Sequence, residues 1–182
     1  LTINPSLLAS LVEGLEALED VPYGDTISVL SRLLANLNAY LVLQNLDLAT
    51  GTLAASLEQV TRSGINHLLS IQNYDGGWSW WGTANIEDQK SSPFITAYVL
   101  LGLEMANQAG IEINESSMTR ARDYLVFELR QPDDADTAWM LDEQTFLVYA
   151  LRNHNLNLTP TIDSLYARRT ELSSWALGLL AL

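Results

Sequence analysis

Apolar residues recur three and four positions apart along almost the whole sequence, and nowhere do they alternate as a half-buried strand requires. Leu8, Leu11, Val12, Leu15 and Leu18 make the first helical pattern, opened by Pro5 and Ser6 and ended by Val21-Pro22. Ile27, Leu30, Leu34, Leu37 and Leu41 place one apolar face on a second helix, which runs to a loop at 46–51. Leu53, Leu57, Val60, Gly64, His67, Leu68 and Ile71 share a face of a third, over 52–72. Ser92-Pro93 reads as an N-cap and first helical residue, and the helix behind it, to Ala106, is apolar almost all round, which suits burial on two sides. Asn114 and Ser117 open a helix over 118–130 with Ala121, Tyr124, Leu125 and Leu129 inward. Asp142-Glu143-Gln144 caps the next, through Leu151. Leu158-Thr159-Pro160 precedes a short helix with Ile162, Leu165 and Tyr166, and 170–173 starts the last. Helices that follow one another every 20–25 residues or so, with short loops, read as a toroid or solenoid of hairpins, each burying its apolar face against its neighbours.

A chain of 182 residues, 48% hydrophobic and 17% charged, holds one domain with a sizeable core. Its net charge of −13 opposes binding to nucleic acid phosphate and to anionic lipid. With no cysteine, a disulfide framework, a thiolate metal site and a cysteine nucleophile are excluded. No apolar run approaches the roughly 18 residues of a membrane span, so no membrane insertion by this segment is expected. The start lacks Met and the close, at 175–182, lies inside a helical pattern, so the expectation is one domain, 1–182, cut from a longer polypeptide.

Two stretches stand out. In the first, 22–34, Pro22 fixes its own φ, Gly24 permits an angle other residues avoid, and Asp25 sits where an N-cap belongs. In the second, 72–82, Asp75-Gly76-Gly77 supplies a turn, and Trp78, Trp80 and Trp81 supply large rings with indole donors. These rings make either an aromatic platform for a sugar or apolar ligand, or a plug between helices, and the plug is the favoured reading. Asp133, Asp134 and Asp136 form a solvated acidic loop, since their spacing fits no usual metal-binding form. His67 reads as a core or boundary residue, and His154 as a cation near a helix C-terminus. Two histidines so far apart make no metal motif, and no cofactor is expected.

Pro22-Tyr23-Gly24, followed by a helix carrying Ser31-Arg32-Leu33-Leu34, resembles the thioester region of the alpha-2-macroglobulin and complement family. The family's turn reads Pro-Tyr-Gly-Cys-x-Glu-Gln, with the Cys sulfur esterified to the Gln side-chain carbonyl. Here the Cys position is Asp25, the Glu position Ile27 and the Gln position Ser28, so Tyr23, Gly24, Asp25, Ile27 and Ser28 make a degenerate thioester site. Gln72, Asp75, Gly76, Gly77 and Trp78 are similar to the Gln-x-x-Asp-Gly-Gly-Trp turn of α/α-toroids, and 93–100 resembles the Pro-aromatic-x-Thr-Ala-Tyr-Val-Leu helix that follows it in bacterial thioester domains.

The resemblance implies an all-α fold, an α/α-toroid of helical hairpins, here an incomplete ring. It implies a bacterial, extracytoplasmic protein (secreted, periplasmic or envelope-attached) that acts on proteases. In thioester-bearing members, cleavage of a bait exposes the thioester, which acylates the protease. Without sulfur and the Gln carbonyl that chemistry is absent. A non-enzymatic role is left, by noncovalent trapping or as a block against which other domains of the parent chain pack. Two alternatives stay open. An α/α-toroid enzyme, cyclase or glycan hydrolase or lyase, would need two carboxylates aimed at one cavity. A plain interaction module would need no protease.

Overall fold

The computed structural model describes residues 25–45, 52–82, 90–129 and 137–182. The helical pattern at 5–21, Tyr23, Gly24 and the acidic loop at 131–136 lie outside them. Among the described residues there are seven α-helices, a 3-10 turn and no strand. They are α1 (Thr26–Asn45), α2 (Thr52–Ser70), α3 (Pro93–Gln108), α4 (Glu115–Glu128), α5 (Ala138–Leu151), α6 (Thr159–Ala167) and, after the 3-10 turn Arg169–Glu171, α7 (Ser174–Leu180).

The odd helices form an inner layer and the even ones an outer layer. α1 packs on α2, α3 on α4 and α5 on α6, while α1 also packs on α3, α3 on α5 and α5 on α7. The odd helices start at one end. The turn after α2 bonds to the first residue of α1 and to the first turn of α3. The backbone N–H of Ser173, at the start of α7, donates to Asp142 Oδ1 in α5 (2.9 Å). At the other end, Glu104 near the close of α3 pairs with His154 just past α5. This alternation is the α/α-toroid arrangement that the periodicity and the resemblance imply.

Three helix starts are where local chemistry places them. Ser92 Oγ accepts from Ile95 N, with Pro93 next in line. Asn114 accepts from the N–H groups of Ser116 and Ser117, and α4 therefore begins at Glu115, three residues before the expected Met118. Asp25 accepts from Ser28 N (2.7 Å). The start of α5 is a correction. Its cap is Thr137, whose side chain accepts from Met140 N, and Asp142, Glu143 and Gln144 already lie inside the helix. Gln144 is buried there, which the acidic cluster beside it disguised.

α1 corrects two further expectations. Leu30 and Leu37 are buried as expected, yet Ile27, Leu34 and Leu41 are only partly so, and Val29, Leu33 and Leu43 are buried instead. The helix packs on both α2 and α3, so no single stripe describes it. It is also long and apolar enough, by length and composition, to cross a membrane. Its residues at 29, 30, 33 and 37 are nevertheless core, and a core helix meets the same criterion. Gly102 of α3 makes the close approach possible, because a Cβ there would meet Leu30 Cδ1 at 2.6 Å. α3 itself is buried around most of its circumference, at Ile95, Ala97, Val99, Leu100, Leu103 and Ala106.

Candidate functional site

The two stretches that stand out in the sequence meet at one end of the toroid. Thr26, the first residue of α1, donates its backbone N–H to the carbonyl of Trp80 (3.0 Å) and its hydroxyl to the carbonyl of Ser79 (2.6 Å). Thr26 is fully buried, so both bonds are shielded from water. Free N–H groups at a helix start need acceptors. Here the α2–α3 turn supplies one for Thr26, and Asp25 supplies another for Ser28.

Asp25 and Ser28 are also joined side chain to side chain. Ser28 Oγ donates to Asp25 Oδ2 at 2.9 Å, while Ser28 N holds Oδ1. Positions three apart at a helix start share a face. The side chain of Ile27, between them, is half-buried and packs against the core. Of the five positions proposed from the sequence for this site, the structure thus brings two into side-chain contact and turns Ile27 toward the core; Tyr23 and Gly24 lie outside the described residues.

The turn at 72–82 is built by its own polar residues. Asp75 Oδ1 accepts from Gly77 N (3.0 Å) and from Ser91 Oγ (2.6 Å). Asn73 Nδ2 donates to the same Ser91 hydroxyl (2.9 Å). Gln72 Nε2 donates to the carbonyls of Gly76 (2.8 Å) and Ser117 (3.0 Å), and its Oε1 accepts from Arg120. Gly76 has φ +95, and a Cβ there would collide with the Arg120 carbonyl, so only glycine fits. Gly77 is equally constrained by space, with Ser91 Cβ 2.5 Å from where its own Cβ would be.

The three rings divide. Trp78 is fully buried, its indole N–H donating to the Leu68 carbonyl (2.7 Å) and its backbone N–H to Thr96 Oγ1 (2.9 Å). Trp80 and Trp81 are 51% and 66% exposed. The expectation that the rings plug the space between helices is therefore right for Trp78 and wrong for the other two. The turn's backbone is spent on bonding α1, which leaves the Trp80 and Trp81 side chains facing away from the core.

Sequence reasoning missed the residues that lock the turn: Thr26, Ser91, Thr96, Arg120 and Tyr124. Tyr124 donates its hydroxyl to the Ser91 carbonyl (2.9 Å), and burial, with Glu128, Asp75 and Glu143 adding to it, holds its phenol well above the ordinary range. Only Thr96 carried a signal, as a β-branched polar residue inside an otherwise apolar helix. The others are long-range contacts with no local signature.

Elsewhere, His154 Nε2 meets Glu104 Oε1, both side chains mostly buried. Burial raises the Glu104 carboxyl above its usual range, opposed by His154, Arg152 and Arg122. His154 thus lies just beyond α5, as its cationic reading suggested, and gains a partner that the sequence did not show. Among the described residues no cluster of three or more His, Cys, Asp or Glu side chains could hold a metal ion.

An inner layer of odd helices, with a turn docked on the start of one of them, defines an α/α-toroid. A family model for the A-macroglobulin TED domain matches residues 2–138, and the chain belongs to that family. Alpha-2-macroglobulin of Thermotoga maritima is 29% identical over 137 residues, covering 75% of this chain and 8% of that protein. Among solved structures, Salmonella alpha-2-macroglobulin reacted with methylamine is 25% identical, with a TM-score of 0.71 over 93% of this chain and 11% of that one. A Salmonella mutant reaches a TM-score of 0.73 at 24% identity, over 93% of this chain and 11% of that one. Native Escherichia coli alpha-2-macroglobulin, from domain MG7 to the C-terminus, gives 0.70 at 22%, over 93% of this chain and 28% of that one. The chain thus spans about a tenth or less of the full-length proteins it matches. The domain is one piece of a larger alpha-2-macroglobulin-type polypeptide.

Proposed function

We propose that this domain is a thioester-less TED module of a bacterial alpha-2-macroglobulin-like protease inhibitor, working without covalent attachment and without catalysis. The observation that carries this is the Asp25–Ser28 pair. At the two positions where the resemblance places the acylating groups, a carboxylate and a hydroxyl hold each other at 2.9 Å. Neither can acylate an attacking protease. A carboxylate is a poor acyl donor, and a serine side chain has no carbonyl. The absence of cysteine from the sequence supports the same reading. What the pair supplies instead is a cap on α1, so the helix start keeps its shape without its former chemistry. Physical enclosure of a protease by the parent chain, with this domain as a rigid block among the others, is the role that remains. The proposed location is extracytoplasmic, where such an inhibitor meets host or competitor proteases.

The full-length parent, mixed with an endoprotease, tests this. Expected is co-elution of the two on native size-exclusion chromatography, with protease activity retained on small peptides and reduced on protein substrates. Denaturing electrophoresis should separate them completely. A denaturation-resistant adduct, or no retention at all, would contradict the proposal.

A further inference from the structure

A cavity of about 250 Å³ opens among the inner helices, toward the end opposite the docked turn. Leu34 of α1, Tyr98, Leu101 and Met105 of α3 and Tyr149 of α5 form its apolar wall. The three from α3 stand at i, i+3 and i+7, one stripe of that helix. Each of the five is only partly buried, with the core behind it and the cavity in front. Glu104 and Arg152 line the cavity at its closing end. Arg152 is held in two ways: Nη1 donates to the Tyr149 carbonyl (2.6 Å), and the guanidinium lies over the Tyr149 ring, 3.7 Å from its centre. Among the described residues it has no ion-pair partner, because the carboxyl beside it, Glu104, is met by His154. Arg122 also acts on that carboxyl. The chain has 9 basic residues against 22 acidic ones, yet here two arginines and a histidine surround one carboxyl.

We propose that this cavity binds a small carboxylate with an apolar body, the chemistry of a capped amino acid or of the C-terminal residue of a peptide. The wall of rings, aliphatic groups and the Met105 thioether receives the body. The guanidinium of Arg152 receives the carboxylate, for which its planar fork is suited, and its seat on Tyr149 orients it in advance. A cation is the wrong occupant. The face of Tyr149 is already covered by Arg152, and Glu104 is already met by His154. A nucleotide is too large, since the cavity falls below the roughly 300 Å³ at which sites for drug-sized ligands begin. The site lies away from the start of α1, and the inference is independent of whether proteases are held covalently.

Isothermal titration calorimetry of the full-length parent with N-acetylphenylalanine, and with its neutral amide, tests it. The acid should bind roughly tenfold more tightly than the amide, as one charge-assisted contact implies. Arg152→Gln should abolish that preference. Leu101→Trp, which fills the cavity, should remove binding of both. Glu104→Gln should tighten the acid, because a competing negative charge is gone. A short peptide ending in phenylalanine with a free carboxylate separates the two sources. Tighter binding of the peptide than of the capped residue assigns a chain terminus, the reverse assigns a free acid, and both support the site. Equal binding of acid and amide, absence of binding by any acid, or tighter binding of phenethylamine would overturn the proposal. So would an acid affinity that is unchanged in Arg152→Gln or weakened in Glu104→Gln. Arg152 is an exposed side chain, so its variant decides the matter even where Leu101→Trp fails to fold.

Discussion

Two aspartate–serine pairs stand within reach of the same helix start, and they work over different distances. Asp25 and Ser28 are three residues apart, and their contact closes the first turn of α1 on itself. Asp75 and Ser91 are sixteen apart, and theirs ties the turn after α2 to the approach of α3, with Gly77, Asn73 and Tyr124 joined to the same two residues. The first pair organises one helix. The second organises how two hairpins meet. A local cap can change its chemistry and leave the fold intact, provided some acceptor still serves the free N–H groups. A long-range knot has no such freedom, because its partners were positioned by packing elsewhere. On the proposed reading that Asp25 stands at a former thioester position, that difference accounts for a changed cap beside a turn whose glycines and aspartate keep the form that resembles other toroids.

Three substitutions sharpen the contrast. Asp75→Ala should cost the most, about 1.5–3 kcal/mol in urea unfolding, because it strips charge-assisted bonds from Gly77 N and from the buried Ser91 hydroxyl together. Asp25→Ala should cost about 0.5–2 kcal/mol, the usual loss for an N-cap, with the remaining helices unaffected by hydrogen exchange. Equal costs at the two sites would break the distinction between local and long-range pairs.

Glu104→Gln should have the smallest effect, and one that depends on pH. Burial raises the folded-state carboxyl above its unfolded value, so ionised Glu104 opposes stability at neutral pH. Stability relative to the neutral glutamine variant is then regained as pH falls through the raised folded value, and is fully regained below the unfolded value. The melting temperature of the variant minus that of the wild type should therefore be more positive at neutral pH than at acid pH. The opposite slope would mean that the pair with His154, and not burial, governs Glu104.

The sequence made the helices legible and left their partners hidden, for physical reasons visible at particular residues. Period and caps are local, so Ser92, Asn114 and Asp25 could be read as helix starts. Where two polar candidates compete, as Thr137 does with Asp142-Glu143-Gln144, composition favours the wrong one. The burial of α1 could not be assigned to one face because it depends on α2 and α3 together. The turn at 72–82 was legible as a turn, since its glycines and Asp75 act within a few residues. Which tryptophan would be buried was not, because Trp78 is chosen by Leu68 and Thr96, ten and eighteen residues away. Glu104 and His154 carry no pattern at all; only the toroid brings them together.

The central claim is that the start of α1 keeps the geometry of a thioester site after losing its reactive groups. A crystal structure of the full-length parent carrying Asp25→Cys, Ile27→Glu and Ser28→Gln tests it most directly. The account predicts that the side chains introduced at 25 and 28 lie on one side of the first turn, in contact, with Thr26 still donating to the Trp80 carbonyl. Side chains on opposite sides of the helix, or a helix start displaced from Thr26, would contradict it.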